Sequence, residues 1–151
     1  MTALLQALNT AGVRYLLIGG QAMRLLGMPR YTMDWDLFVP PHDESNFEKL
    51  NKVLGEELDI PLLPLGERGE NCIQTYQTQW GVIQFHLGVP GLSGFDTAEK
   101  SAVRLNVEEG VAVPCLSGRD LLAAKTATGR PQDQTDILFL RELQRLGKLS
   151  G

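Results

Sequence analysis

Short apolar runs alternate along the chain with segments in which apolar residues recur at every third or fourth position, so strands and helices are predicted to interleave. Polar residues suited to N-cap positions precede three of the helices, namely Thr2, then Asp43 or Ser45, and Ser117. The predicted helices cover 2–11, 21–26, 47–58, 97–102, 118–128 and 133–146. The predicted strands cover 13–18, 33–39, 72–80, 82–87, 103–107 and 111–115.

A glycine pair connects the first buried strand to the helix that follows it. Gly19-Gly20 comes directly after the apolar run that ends at Ile18 and directly before the predicted helix over 21–26. A turn of this kind exposes backbone N–H groups, which suit anionic phosphate oxygens. An ordinary tight turn has the same composition, so the glycines alone leave both interpretations open.

An acidic pair lies in the second predicted strand. Asp34 and Asp36 are two positions apart, which places both carboxylates on one face of a strand. Adjacent carboxylates repel unless a cation compensates them, and oxygen-rich sites of this kind bind Mg²⁺ or Mn²⁺ together with substrate phosphates. A strand end with both acids in water would have the same sequence. Arg30 and Thr32 would join that face if the strand begins early enough.

The composition indicates one domain over 1–151 that does not bind nucleic acid through a broad basic surface. The chain has 151 residues, 14 Lys and Arg against 18 Asp and Glu, and a net charge of -4, so it lacks the excess of cations that such a surface requires. Its longest apolar runs are too short for a membrane span and no leader-like segment is present, so a cytoplasmic protein is expected. Cys72 and Cys115 are interpreted as reduced structural thiols.

Several short motifs follow one another in a fixed order between about residues 13 and 143. They are Ile18-Gly19-Gly20-Gln21-Ala22, Gly27, Arg30-x-Thr32-x-Asp34-x-Asp36-Leu37, Lys125, and Arg130-Pro131-x-Asp133-x-x-Asp136. In this order they resemble the minimal nucleotidyltransferases of the DNA polymerase beta superfamily, and the ordered set is more specific than any one motif. The chain is similar in particular to the single-domain branch that includes abortive-infection and toxin–antitoxin nucleotidyltransferase-like proteins.

The resemblance implies an α+β fold, the nucleotidyltransferase fold, in which helices flank a mixed β-sheet. It also implies that Gly19-Gly20 binds the triphosphate of a nucleotide and that Asp34 and Asp36 hold two divalent cations, Mg²⁺ or Mn²⁺. An acceptor hydroxyl would attack the α-phosphate of a nucleoside triphosphate in line and release pyrophosphate. The two cations would activate the attacking oxygen and neutralise the leaving group.

Other matched positions supply candidate contacts to the nucleotide. Arg30, Thr32 and Lys125 are the candidate phosphate contacts. The alternative for Arg30 is that it balances the charge of the acidic pair, and the alternative for Lys125 is a lysine on a solvated helix face. The last motif is expected to be structural, as an ion-paired clasp between the last two helices formed by Arg130, Asp133 and Asp136.

The third carboxylate that such enzymes usually have is replaced in this chain. The corresponding strand reads GVIQFHL over 81–87, and Gln84 aligns with the acid. An amide oxygen can ligate a hard cation, but it brings no charge and cannot act as a base. His86 lies on the same strand face and is either a substitute ligand or base, or a structural histidine. An alignment shifted to Glu70 or Asp96 is the remaining alternative.

The replacement by Gln84 leaves three hypotheses, and enzymatic activity is open among them. The first is an active metal-dependent nucleotidyltransferase, which is preferred because the glycine turn and the acidic pair occur together. The second is a weakened member of the fold that binds nucleotide and one cation, and the third is an interaction module of a toxin–antitoxin or defence pair. The acceptor would be a protein, an RNA or a small hydroxylated molecule, and a partner protein or a second copy would complete its binding surface.

Overall fold

The computed structural model describes residues 1–29 and 31–149, with the side chain of Glu56 left out, so Arg30 lies outside the described residues. The helices are α1 Thr2–Thr10, α2 Gly19–Leu25, α3 Glu44–Leu54, α4 Phe95–Lys100, α5 Gly118–Thr128 and α6 Gln134–Arg145, with short 3-10 turns at Gly55–Glu57 and Pro131–Asp133. The strands are β1 Leu16–Ile18, β2 Trp35–Phe38, β3 Ile73–Thr78, β4 Gly81–His86, β5 Val103–Glu108 and β6 Val111–Cys115.

All of these strands belong to one mixed sheet in the order β3-β4-β2-β1-β6-β5. The pairs β1/β2, β3/β4 and β5/β6 are antiparallel, whereas β2/β4 and β1/β6 are parallel. Gly81 and Gly110, with φ of +107° and +81°, lie in the two hairpin turns because that backbone region favours glycine. Helices flank the sheet, so the predicted α+β class with a mixed sheet is confirmed. Within residues 1–29 and 31–149, no helix has the length and apolar character needed to cross a membrane.

The first strand is shorter than predicted at its N-terminal end. It begins at Leu16 instead of at residue 13. The side-chain amide of Asn46, on α3, accepts a hydrogen bond from the Arg14 backbone N–H at 2.7 Å and donates one to the Arg14 carbonyl at 2.9 Å. Asn46 thereby satisfies the backbone groups that a neighbouring strand would otherwise pair with, and the segment stays extended without joining the sheet.

Two of the predicted helix N-caps are present in the structure, and the third is not. The Asp43 carboxylate accepts a hydrogen bond from the Asn46 N–H at 3.1 Å, and Ser117 caps α5 in the same way. The prediction for Thr2 is wrong, since Thr2 is the first residue of α1 and its hydroxyl donates to Glu108, on β5, at 2.8 Å. A hydroxyl bound to a distant strand no longer caps its own helix, and no local pattern reveals such a contact.

The two faces of the sheet differ at the central strands β2 and β4, where one face is apolar and the other is partly polar. Leu37 on β2 is paired with Phe85 on β4, and both side chains are buried in the core. Because side chains alternate along a strand, their neighbours Asp36 and Gln84 lie together on the opposite face. The parallel register of these two strands therefore determines which polar side chains meet.

Candidate active site

A cavity of about 330 Å³ opens on the partly polar face of β2 and β4, next to the end of β1 and helix α5. The side chains and glycine in its lining that can take part in chemistry are Gly19, Asp36, Gln84, His86, Lys125 and Arg130. These residues come from four separate stretches of the chain. The fold brings five of the predicted site residues together here, and it adds Arg130, for which the sequence predicted only a structural role.

Asp36, Gln84 and His86 form the polar floor of the cavity. Asp36 is the direct neighbour of Gln84 in the parallel register of β2 and β4. His86 Nε2 lies 2.9 Å from Asp36 Oδ1, and both side chains are largely buried, with 17% and 20% of their surfaces exposed. The sequence predicts that Gln84 and His86 share one strand face, and the register adds Asp36, on the neighbouring strand, to the same face of the sheet. Their roles in binding or catalysis stay predictions.

The glycine pair packs directly against polar side chains, and it forms the start of α2 instead of a separate turn before it. Gly19 has a φ of +69°, and a Cβ atom added there would lie 2.5 Å from Asp36 Oδ2. A Cβ atom on Gly20 would lie 3.0 Å from Thr32 Oγ1. Only glycine allows the backbone at position 19 to approach Asp36 so closely, whereas a side chain at position 20 would require Thr32 to shift by a few tenths of an ångström.

The segment before β2 differs from the sequence prediction. Strand β2 begins at Trp35, so Thr32 and Asp34 lie outside it and the strand face does not extend back to them. Thr32 nevertheless stays beside the glycine pair, because its carbonyl accepts a hydrogen bond from Gln21 Nε2 at 3.2 Å. Asp34 is exposed and does not line the cavity around Asp36.

Metal binding by Asp34 and Asp36 stays a prediction. In the part of the chain that the structure describes, no group of three or more His, Cys, Asp or Glu residues is placed to hold a metal ion. Asp36 is the only carboxylate among the described residues that line the cavity. A cation there would therefore depend on other oxygen donors as well, such as the Gln84 amide and the phosphates of a substrate.

Lys125 lies on α5 and is buried between two carboxylates, so it is not a lysine on a solvated helix face, whereas its contact with phosphate stays a prediction. Its Nζ is 2.8 Å from Asp136 Oδ2 and 3.3 Å from Asp133 Oδ1, with only 10% of the side chain exposed. Both partners are almost completely buried. Since Asp136 is on α6, the predicted ion-paired clasp between the last two helices is present, and Lys125 is its central cation.

Arg130 follows α5 and points to the same cavity, but it is much more exposed. Its Nε is 2.8 Å from Asp133 Oδ2 and its Nη2 is 3.3 Å from Asp133 Oδ1, while 56% of the side chain is exposed. The hydrogen bond to Asp133 raises the pKa of Arg130, and the nearby negative charge of Asp36 adds to this effect. In the sequence, Arg130 stands between Gly129, the C-cap of α5, and Pro131, and this pattern indicates a constrained backbone.

The pKa of Asp133 is set by two opposing effects. Burial would raise the pKa of this carboxyl, but the hydrogen bond from Arg130 and the charge and hydrogen bond of Lys125 outweigh burial, so the pKa lies below its usual value. Thr128 also donates to Asp133 Oδ2, at 3.1 Å. Asp133 is therefore an ionised and well-ligated anchor beneath the cavity.

The two alternative acids lie away from this cavity. Asp96 accepts a hydrogen bond from Arg14 at 2.7 Å, next to Glu99 and the Asp43 cap. Glu70 accepts one from the backbone N–H of Arg68 in the loop before β3. Neither acid lines the Asp36 cavity, so the geometry gives no support to a shifted alignment.

Comparison with solved structures identifies the fold. A candidate nucleotidyltransferase from Thermotoga maritima superposes with a TM-score of 0.66 and 14% identity, over 93% of this chain and 89% of the other. The antibiotic-resistance factor ANT(2'')-Ia gives 0.56 and 18%, over 93% and 77%. An antigenic nucleotidyltransferase-like protein from Paracoccidioides brasiliensis gives 0.55 and 22%, over 94% and 73%. The chain therefore has the nucleotidyltransferase fold, as the sequence resemblance implied. No protein-family model and no curated protein matches it.

Proposed function

We propose that this chain binds a nucleoside triphosphate with Mg²⁺ or Mn²⁺ in the Asp36 cavity and transfers its nucleoside monophosphate to an acceptor hydroxyl. The observation that carries the proposal is the approach of Gly19 to Asp36, where a Cβ atom would lie 2.5 Å from Oδ2. A glycine here lets the backbone lie directly against the Asp36 carboxylate at the cavity wall, where its N–H groups can meet phosphate oxygens, and a fold shared with nucleotidyltransferases makes a nucleotide the expected ligand.

The donor set of the cavity fits one hard cation that is shared with a substrate. Asp36 supplies a carboxylate and Gln84 an amide oxygen, and magnesium in proteins is often bound by one or two carboxylates together with substrate phosphates and water. Asp34 could complete the set only from its exposed position before β2. When bound, the cation would neutralise charge on the transferring phosphate and on the pyrophosphate that leaves.

The residues of the chain would supply positioning and proton transfer. The acceptor hydroxyl must lose its proton as it attacks the α-phosphate, and Gln84 cannot accept that proton. His86 is the candidate base, because imidazole accepts protons near neutral pH and its ring nitrogen already contacts Asp36 at 2.9 Å. This contact would hold the ring in one orientation beside the reacting phosphate.

The test of this proposal is the Asp36→Asn variant, with Asp59→Asn, an exposed acid in a loop, as the matched control. Thermal unfolding is measured with each nucleoside triphosphate, with and without Mg²⁺ or Mn²⁺. A ligand at a hundredfold excess over its dissociation constant stabilises the native state by roughly 2.7 kcal/mol. We expect metal-dependent stabilisation of wild type and Asp59→Asn, and none of Asp36→Asn. An unchanged response of Asp36→Asn, or none in the wild type, would contradict the proposal.

A second candidate function is nucleotide binding without transfer. It is favoured by the position of Gln84, which is the direct neighbour of Asp36 and brings no charge. A site with one carboxylate would hold a substrate and one cation, but it would hold a second cation weakly. Incorporation of labelled nucleotide into a panel of protein, RNA and small hydroxylated acceptors separates the two functions, because only a transferase labels one of them.

The Gln84→Asp variant tests whether Gln84 limits the site. A second carboxylate beside Asp36 should lower the melting temperature without metal, because like charges repel, and should increase the stabilisation by Mg²⁺ or Mn²⁺ above that of the wild type. Gln77→Asp, on the exposed edge strand β3, is the control and should show neither effect. Equal metal affinity and equal activity in Gln84→Asp and the wild type would show that Gln84 does not face the cation.

A further inference from the structure

A lysine and an arginine line the cavity among the described residues, and their surroundings are opposite. Lys125 has 10% of its side chain exposed and its ammonium lies between Asp133 and Asp136. Arg130 has 56% of its side chain exposed and contacts Asp133 alone among the described residues. A phosphate that enters the cavity would therefore meet one cation that is already neutralised and one that is partly free.

Lys125 is held in place by the carboxylates around it. If its ammonium turned toward a phosphate, Asp133 and Asp136 would both lose their contact with it inside the protein, and removing one partner of a buried ion pair is unfavourable. The ammonium is compact and its contacts with Asp133 and Asp136 occupy the donors that point inward. The burial of this cluster thus makes Lys125 a structural cation.

Arg130 is fixed on one side and open on the other. Its Nε and Nη2 donate to the two oxygens of Asp133, which leaves the other N–H donors of the guanidinium unused by the described residues. Gly129 ends α5 with a φ of +60°, and Pro131 begins the next turn, so the backbone on both sides is constrained. Arg130 and Asp36 line the same cavity, and the negative charge of Asp36 adds to the rise in the pKa of Arg130.

We propose that Arg130 binds the polyphosphate of the nucleotide in this cavity, with Asp133 holding its guanidinium in orientation. This inference rests on the proposed function and names one cation that the polyphosphate meets. A planar guanidinium offers paired donors to phosphate oxygens, and the pairing with Asp133 reduces the rotational freedom that binding would otherwise cost. The ligand class is a nucleoside triphosphate or any linear polyphosphate, since the contact is to phosphate and not to the base.

The experiment compares the wild type with Arg130→Gln, Arg130→Lys and Arg119→Gln. Arg119 is an exposed arginine on α5 that does not line the cavity, so its variant controls for the loss of one positive charge. Dissociation constants for ATP with Mg²⁺ and for inorganic tripolyphosphate are measured by calorimetry at one ionic strength. Thermal unfolding confirms that Arg130→Gln is folded, as expected because Lys125 and Thr128 still bind Asp133.

We expect Arg130→Gln to lower the affinity for ATP and for tripolyphosphate by the same factor, about tenfold to a hundredfold. This is the range for the loss of a hydrogen bond to a charged group. Arg130→Lys should lie between it and the wild type, because lysine keeps the charge but not the fork, and Arg119→Gln should bind as the wild type does. Unchanged affinity in Arg130→Gln, with ATP bound by the wild type, would overturn this inference and leave the proposed function intact. Weakened ATP with unchanged tripolyphosphate would also overturn it. Absence of binding by the wild type would overturn both.

Discussion

Replacing Lys125 with methionine is expected to lower the free energy of unfolding by about 3–5 kcal/mol, the range for breaking a buried ion pair at one partner. Methionine fills the volume of the lysine stem but cannot compensate Asp133 and Asp136, which lie 3.3 and 2.8 Å from the ammonium. Asp133 keeps its bonds from Arg130 and Thr128, so the expected loss is that of the contacts that the ammonium itself makes with the two buried carboxylates. Urea unfolding at neutral pH measures the effect.

Lys52→Met is the matched control for this prediction. Lys52 and Lys125 each lie in the last turn of an 11-residue helix, so both variants lose the same interaction with the helix dipole, but Lys52 is exposed. Equal destabilisation by Lys125→Met and Lys52→Met would show that the buried carboxylates do not depend on the ammonium.

The effect of Lys125→Met should also depend on pH. The folded-state pKa of Asp133 lies below its usual value, so its ionised form contributes stability above the unfolded pKa and this contribution is lost as the pH falls through the folded value. The variant lacks the part of that contribution that Lys125 supplies, and acid protonates the carboxyl group of Asp133 in both proteins. The difference in unfolding free energy between wild type and variant should therefore be largest near neutral pH and decrease in acid.

Elements governed by local signals could be predicted from the sequence. Helix α5 has the predicted bounds, 118–128, because Ser117 supplies the cap and Gly129 the left-handed C-cap within the segment itself. The hairpin of β3 and β4 follows from two strand-forming runs around Gly81. The order of motifs also identified the nucleotidyltransferase fold, since each motif marks one element of it.

Features that depend on distant partners could not be predicted in the same way. The start of β1 is decided by Asn46, and the burial of Lys125 is decided by Asp136 on another helix. Neither partner has a pattern that reveals what it will contact. The cation, the acceptor and the link to a toxin–antitoxin pair stay predictions, because they depend on molecules other than this chain.

The packing of Gly19 against Asp36 gives the other large expected effect, in the Gly19→Ala variant. The added Cβ atom would lie 2.5 Å from Asp36 Oδ2 and would displace the carboxylate that contacts His86 at 2.9 Å. The positive φ of +69° alone should cost about 1–2 kcal/mol, and the overlap should add about 1–3 kcal/mol. We also expect no detectable binding of ATP with Mg²⁺ in calorimetry, because the displaced Asp36 carboxylate no longer has the position from which it would hold the cation.

Gly12→Ala separates backbone strain from the loss of the site. Gly12 has a φ of +72°, almost the same as Gly19, but the nearest atom to an added Cβ is the flexible end of Lys49 at 3.9 Å. Its variant should therefore lose about 1–2 kcal/mol of stability and bind ATP as the wild type does. If Gly19→Ala also binds ATP normally, binding does not depend on the position of Asp36 against Gly19. If Gly12→Ala loses binding as well, strain in the backbone and not the displacement of Asp36 accounts for the effect, because Gly12 lies outside the cavity lining.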